Sequence, residues 1–278
     1  MDGKREKMTL WLETFGILLI AISGIILGRW ASRRSTSSRI FAMSVSFAVV
    51  GLILLSRLGV LWEMLPLLRP IAASRLRFVL LAFSVTLGLT APLTQLRSYV
   101  SRFITCLVMA FFTAILVSFP FLGPALIQSD LAASQTRIDI DGVCRQSQPF
   151  TCGPAAAVTA LNRFGVEATE GGLAMAAHTS PVIGTSPWDL YRTLKSDYPD
   201  EGIEYSFLHM RSIDQLPTDA VLLAVVRDAP ATDHCVAVLA VNENTVTIAD
   251  PMAGLVHMPR DSFSQLWRNC GILLQRPL

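Results

Sequence analysis

The chain has 278 residues, of which 52% are apolar, with a mean hydropathy of +0.49 and a formal net charge of +2. This length allows two domains of ordinary size, and the apolar content is too high for a purely soluble protein, so part of the chain is expected in a membrane. The near-neutral charge and scattered basic residues argue against nucleic acid as a partner.

Four long apolar runs in the first half of the chain predict a transmembrane region over residues 1–129. A bilayer core of about 30 Å needs about 20 apolar residues of helix, so three runs are long enough and the second is marginal. The sequence "GRWASRRSTSSR" after the first run is rich in arginine where a signal peptide would have small residues, which indicates an uncleaved helix. We predict four spans, near residues 8–28, 40–56, 78–96 and 103–128.

These spans predict a multi-pass protein of the cell membrane, with the lipid bilayer as its first partner. Four crossings place both termini on one side, but the two sets of loops carry nearly equal numbers of Lys and Arg, so the side stays open. No ionisable residue falls in the middle of a run, which favours an anchor over a transporter or channel half.

Residues 130–142 are polar and predict a short linker, and residues 143–278 have the composition of a soluble domain. "GPAAAVTALNRFG" predicts a helix that begins at Pro154 and ends before Gly165. "SPWDLYRTLKSDY" predicts a second helix, with Ser186 as its N-cap. Three apolar runs predict strands, and the last two flank a turn: "AVLLAVV", "HCVAVLAV" and "TVTIAD". Helices followed by an antiparallel sheet predict an α+β domain.

Cys152 lies just before the first turn of the predicted helix. Unpaired backbone N–H groups and the helix dipole favour negative charge at that place, and a thiolate is the reactive form of cysteine. A free cysteine is more often a small buried apolar residue, however. The position of Cys152 alone does not decide between these two interpretations.

His234 and Asp250 occupy the two outer ends of the predicted hairpin. With two or three residues in the turn "NEN", Asp250 falls opposite residue 235 or 236, so the imidazole and the carboxylate can meet. A nucleophilic thiol needs a base within reach, and the base needs a third group to orient it. Gln146, just upstream of Cys152, can donate an amide N–H to an oxyanion.

The segments "QSQPFTCGPAAAVTALNRFG" and "DHCVAVLAVNENTVTIADP" resemble the family C39 peptidases, papain-like cysteine proteases best known as bacteriocin-processing domains. The resemblance covers roughly residues 140–278. It implies a papain-like fold in which Cys152 is the nucleophile and His234 the general base and acid. In the same way it implies that Asp250 orients the imidazole and that Gln146 is the oxyanion donor. No metal and no other cofactor is predicted.

Two features of the chain differ from the family pattern. Thr151 stands before the cysteine, where the family commonly has Asp. Many family members form the N-terminal domain of an ABC transporter and cut peptides after a Gly-Gly leader, whereas this region follows four predicted spans in a sequence without GxxxxGK[ST].

The resulting prediction is a membrane-anchored cysteine endopeptidase that acts on a peptide or protein substrate. Leader peptides or bacteriocin-like precursors are the expected substrates, and a separately encoded transporter is a further expected partner. Two alternatives stay open: a non-catalytic peptide-binding module of a transport system, and a papain-like acyltransferase.

The remaining cysteines and histidines are expected to be structural. None of the five cysteines forms a CxxC pair, so neither a zinc site nor a disulfide scaffold is predicted. Cys235 follows His234 on a strand and is expected in the core, because alternate residues point to opposite faces. Cys144 and Cys270 are left open as a disulfide or two buried thiols, and Cys106 falls in the fourth span. The other three histidines show no metal-ligand spacing: His178, His209 and His257.

Overall fold

The structure, a computed structural model, describes residues 2–56, 73–199, 201–229 and 232–277. The chain divides into two compact units, Met1–Leu126 and Ile127–Leu278, named here the N-terminal unit and the C-terminal unit. Each unit has its own architecture.

The N-terminal unit is helical. Four of its helical segments are long and apolar enough to cross a membrane: Leu10–Arg34, Thr36–Leu55, Leu76–Gln95 and Tyr99–Leu126. The prediction of about four such helices is therefore confirmed. Its α-helices are α1 (Asp2–Arg34), α2 (Thr36–Ser56), α3 (Leu76–Thr90), α4 (Tyr99–Val117) and α5 (Gly123–Leu126), with a 3₁₀ turn at Leu93–Gln95 and a π-helical turn at Ser118–Leu122 between α4 and α5.

Small residues allow the helices of the N-terminal unit to pack closely. A Cβ atom added to Gly24 of α1 would lie 2.2 Å from Thr86 Oγ1 of α3, and one added to Gly28 would lie 2.8 Å from Thr90 Cβ. Close backbone approach at glycine is the usual way for helices to associate in lipid, because apolar side chains gain little from leaving it.

A buried arginine joins the ends of three of these segments. Arg75, just before α3, forms an ion pair with Glu13 of α1 at 3.2 Å. It also donates a hydrogen bond to the carbonyl oxygen of Pro120 at 3.3 Å and lies over the ring of Phe121. Pro120 belongs to the π-helical turn, so this cation satisfies a carbonyl where the helix is irregular.

The C-terminal unit is an α+β domain, as predicted. Its helices are α6 (Gln128–Ala132), α7 (Cys152–Arg163), α8 (Glu170–Ala176), α9 (Pro187–Asp197) and α10 (Arg260–Leu266). Its strands are β1 (Arg137–Ile138), β2 (Cys144–Arg145), β3 (Glu204–His209), β4 (Val221–Ala229), β5 (Thr232–Val241), β6 (Thr245–Asp250), β7 (Gly254–Pro259) and β8 (Trp267–Gln275). A 3₁₀ turn spans Ile213–Gln215.

Six strands form one sheet in the order β3-β8-β4-β5-β6-β7, and every pairing in it is antiparallel. One buried cluster includes the apolar residues of α7 together with Leu223, Ala237 and Ile272 of the sheet. A second cluster, which includes Leu222 and Phe263, joins other strand residues to α10. The sheet therefore has a hydrophobic core on each face.

The helix α7 begins earlier than the sequence predicts. Cys152 is its first residue and Thr151 its N-cap, so Pro154 occupies the third helical position instead of the first. The predicted end is confirmed, because Gly165 adopts a φ of +77° just after the C-cap Phe164. Every residue from Gly153 to Leu161 is buried, which makes α7 the central helix of the unit.

The segment expected to be a linker is folded. Residues 130–142 include most of α6 and all of β1, and β1 pairs with β2. Leu131 is buried, and its carbonyl oxygen lies against Gly171 at the start of α8. Residues 130–142 are therefore a folded part of the C-terminal unit.

Candidate active site

The hairpin β5–β6 brings His234 and Asp250 together. Ala237 pairs with Ala249, so Asp250 lies one residue further along, opposite Val236, which is one of the two predicted registers. His234 Nε2 and Asp250 Oδ1 are 2.8 Å apart, and the side chains are 11% and 20% exposed. The imidazole and the carboxylate that orients it are therefore both largely shielded from solvent.

The turn after β6 fixes the Asp250 carboxylate. Its Oδ1 also accepts hydrogen bonds from the backbone N–H groups of Met252 at 2.7 Å and Ala253 at 3.3 Å. Burial acts to raise the pKa of Asp250, but the hydrogen bonds from His234 and from the backbone outweigh it and lower the pKa below its ordinary value. The carboxylate is therefore ionised at neutral pH.

Cys152, at the start of α7, interacts with the same imidazole. Burial acts to lower the pKa of His234, but hydrogen bonding to Asp250 and to Cys152, together with their negative charges, raises it to about 10. An imidazole with this pKa is protonated at neutral pH. It is thus in the form that would pair with a thiolate.

Gln146 follows β2 and lies beside the Asp250 turn. Its backbone N–H donates to the carbonyl oxygen of Pro251 at 3.1 Å. Its side-chain Nε2 donates to the carbonyl oxygen of Gln148 at 3.0 Å, and an amide nitrogen has a second hydrogen to offer. Gln146 Oε1 is buried without a hydrogen-bond partner in the described part of the chain. The amide is therefore held by its own loop, and one donor is left for a bound group.

Arg145 makes contacts near the site that the sequence analysis did not predict. Its guanidinium donates to the carbonyl oxygen of Met252 and lies 3.8 Å from the carboxylate of Asp139. A Cβ atom added to Gly254, whose φ is +93°, would lie 2.6 Å from Arg145 Nη1. Arg145 and Gly254 therefore tie the strand that precedes Gln146 to the turn that follows Asp250.

Glu170 is a second residue that the sequence analysis missed. The side chain is fully buried, and its Oε1 accepts hydrogen bonds from Ser147 N at 2.8 Å, from Ser147 Oγ at 3.0 Å and from Thr151 Oγ1. In the sequence it is an acidic residue in the first turn of a helix capped by Thr169, a pattern normally found on the surface. No local signal distinguishes it from an exposed residue.

The other cysteines are free thiols. Burial first, and then nearby charges, raises the pKa of Cys144 and of Cys270 to about 12. Cys235 packs against the cluster built around α7, where burial raises the pKa of its thiol well above the ordinary value. Within the described residues, no group of three His, Cys, Asp or Glu side chains forms a metal site.

A cysteine at a helix start that interacts with a His–Asp pair on a hairpin is the arrangement expected of papain-like cysteine peptidases. Residues 142–277 match the model of the peptidase C39 family, and the chain belongs to that family. An uncharacterized protein of Methanothermobacter marburgensis is 31% identical over 134 residues, which are 48% of this chain and 88% of the relative.

Solved structures similar to the chain include two peptidases that come from transporters. The peptidase domain of Streptococcus ComA, a bifunctional ABC transporter involved in a quorum-sensing pathway, is 18% identical with a TM-score of 0.41. That match covers 48% of this chain and 96% of the domain. A double-glycine-motif protease from an AMS/PCAT transporter, in complex with its leader peptide, is 14% identical with a TM-score of 0.42, over 52% of this chain and 96% of the protease.

Proposed function

We propose that this protein is a cysteine endopeptidase anchored in the cell membrane by its N-terminal unit. Cys152 is the nucleophile, His234 the general base and acid, Asp250 the group that orients the imidazole and Gln146 the oxyanion donor. The observation that carries the proposal is the 2.8 Å pairing of the His234 imidazole with the Asp250 carboxylate, together with the effect of Cys152 in raising the pKa of that imidazole.

The reaction proceeds by acyl transfer through the thiol. The Cys152 thiolate attacks the carbonyl carbon of the scissile peptide bond, and the side-chain amide of Gln146 stabilises the resulting oxyanion. The C–N bond then breaks as His234 gives its proton to the leaving amine. Water, deprotonated by His234, attacks the thioester, releases the carboxylic acid product and restores the Cys152 thiolate beside the protonated imidazole.

The substrate class that we propose is a secreted peptide with a leader, and we propose a separately encoded transporter as a partner. Similar structures come from a double-glycine-motif protease and from the peptidase domain of an ABC transporter, and they suggest this class. The four apolar helices support a membrane location, where such a peptide would pass during export.

The first test is alkylation of Cys152 by iodoacetamide in the full chain in detergent micelles, read by mass spectrometry across pH. We expect wild-type Cys152 to react rapidly at neutral and mildly acidic pH, because the protonated His234 imidazole can pair with the thiolate. His234→Ala should lose that advantage, whereas Asp228→Ala, in the neighbouring strand β4, should keep it. If wild-type Cys152 reacts no faster at low pH than it does in His234→Ala, the proposed site is wrong.

A second measurement separates peptidase activity from its alternatives. Wild type and Cys152→Ser are incubated with a mixture of synthetic peptides, with and without an added amine, and the products are identified by mass spectrometry. Hydrolysed peptides that depend on Cys152 support the proposal. Products that contain the amine and no hydrolysed peptide indicate an acyltransferase, and a reactive thiol without any cleavage indicates a binding module.

A further inference from the structure

We propose that Glu170 is a positioning residue that fixes the loop between Gln146 and Cys152, and through that loop the oxyanion donor. The inference rests on the proposed function of Gln146 and Cys152. It assigns a role to a buried carboxylate outside the four residues of the proposed reaction.

Glu170 holds both ends of the loop with one oxygen. At the first end, Oε1 accepts hydrogen bonds from the backbone N–H and the hydroxyl of Ser147, the residue after Gln146. At the other end, the same atom accepts a hydrogen bond from the hydroxyl of Thr151, the residue before Cys152. The distance between oxyanion donor and nucleophile therefore depends on this one side chain.

Thr151 connects Glu170 to the middle of the loop through hydrogen bonds. Its one hydroxyl hydrogen is donated to Glu170, and its Oγ1 accepts a hydrogen bond from Gln148 N at 3.2 Å. The carbonyl oxygen of the same residue, Gln148 O, accepts a hydrogen bond from the Gln146 side-chain amide. A continuous set of hydrogen bonds thus connects the Glu170 carboxylate to the amide that would bind the oxyanion.

The start of α8 that carries Glu170 is itself held firmly. The backbone N–H of Glu170 donates to Thr136 Oγ1 at 2.9 Å. A Cβ atom added to Gly171 would lie 2.2 Å from the carbonyl oxygen of Leu131, so the two backbones are in direct contact. The backbone that carries the carboxylate is therefore fixed by contacts outside the loop.

The burial of Glu170 supports a role in function. It is fully buried, and its Oε2 has no hydrogen-bond partner among the described residues. Transfer of a carboxylate from water to such a place is costly, and an apolar residue of similar size would fill the same volume without that cost. The presence of a carboxylate at this buried position is therefore explained by its hydrogen bonds to the loop between Gln146 and Cys152.

Two reactions of Cys152 distinguish this role from general support of the fold. Alkylation by iodoacetamide develops no oxyanion, so it reports on the thiol and His234 alone. In acylation by p-nitrophenyl acetate, Sγ bonds to the ester carbonyl carbon and the negative charge develops on the carbonyl oxygen. This tetrahedral intermediate then expels p-nitrophenolate, and water hydrolyses the acetyl thioester. A displaced loop should slow acylation without changing alkylation.

The test measures both rates in the full chain for wild type, Glu170→Gln and the matched control Glu167→Gln, an exposed residue on the same connection. We expect Glu170→Gln to lower the acylation rate by about tenfold to a hundredfold, since a misplacement of about 1 Å can cost a hundredfold. Alkylation and its pH profile should stay as in wild type, and Glu167→Gln should change neither. In a Gln146→Ala background, Glu170→Gln should cause no further loss.

The inference is overturned if Glu170→Gln acylates as fast as wild type, or if its acylation and alkylation rates fall together. It is also overturned if the double variant Glu170→Gln/Gln146→Ala acylates more slowly than Gln146→Ala alone. If Glu170→Gln does not fold, Ser147→Ala tests the inference instead. Ser147 is exposed, and its substitution removes one of the hydrogen bonds to Glu170 Oε1. We expect its acylation to slow a few-fold with alkylation unchanged, and no change would overturn the inference. If wild type acylates no faster than Cys152→Ala, the proposed function itself fails, and this inference fails with it.

Discussion

The two units of the molecule differ in where many of their large apolar side chains lie. In the N-terminal unit, glycine and hydroxyl residues lie at helix contacts beside a few large buried residues such as Phe121, whereas Leu19 and Phe41 are 66% and 71% exposed. In the C-terminal unit, Leu161 and Leu222 are fully buried. Apolar burial stabilises a fold in water, but in lipid it is the close approach of backbones that holds helices together.

Truncation of leucine should show this contrast most strongly. Leu161→Ala leaves a cavity in the centre of the C-terminal unit and should lower its free energy of unfolding by about 2–5 kcal/mol. Leu19→Ala makes the same chemical change on an exposed surface of α1 and should have little effect. Hydrogen exchange, measured peptide by peptide in micelles, would report on each unit separately. Equal losses of protection in Leu161→Ala and Leu19→Ala would contradict the comparison.

Removal of the proposed oxyanion donor should change activity without changing either fold. Gln146→Ala should lower kcat for acyl transfer on the order of a hundredfold, because one donor to the oxyanion is lost. Its hydrogen exchange should match that of wild type in both units. A Gln146→Ala variant with undiminished turnover would show that the oxyanion is bound elsewhere.

Enlargement of a glycine should affect the N-terminal unit alone. At Gly24 a larger side chain would collide with Thr86 and with the backbone of α3, so Gly24→Leu should destabilise the helical bundle by about 1–3 kcal/mol. Gly16 lies on the same helix with nothing within 4 Å of an added Cβ atom, so Gly16→Leu is the matched control. Thermal unfolding in micelles would compare them, and identical curves would contradict the packing described.

The smallest effect that we expect is a dependence of C-terminal unit stability on pH. The pKa of His234 is raised to about 10 in the folded protein, so its stabilising contribution is complete below its unfolded value of about 6.5. The contribution declines as pH rises from there and is lost above about 10. The pKa of Asp250 is lowered, so its contribution is present above about 3.9 and is lost as pH falls through the folded value.

The measurable consequence is a Tm that falls by a few degrees between neutral pH and pH 10 in wild type. His234→Gln should reduce that slope, because the glutamine does not titrate. A slope that is the same in both proteins would show that His234 does not hold its proton through its partners in the folded state.

The sequence predicted those features that local patterns determine. The hairpin register follows from the two apolar runs and the turn "NEN", so the meeting of His234 and Asp250 could be predicted. The start of α7 could not, because Thr151 and the loop before it are held by Glu170, which is remote in sequence. The strand β7 was also missed, since half of its residues are exposed and it lies at the edge of the sheet.

The partners of Gly24 and Gly28 bear on the order in which the protein is made. Both glycines of α1 contact α3, whose Thr86 and Thr90 are synthesised roughly 60 residues later. At about 5–20 residues per second, several seconds separate the synthesis of α1 from that of α3. The contacts of Gly24 and Gly28 therefore cannot form while α1 is being made, and they form only once α3 has been synthesised.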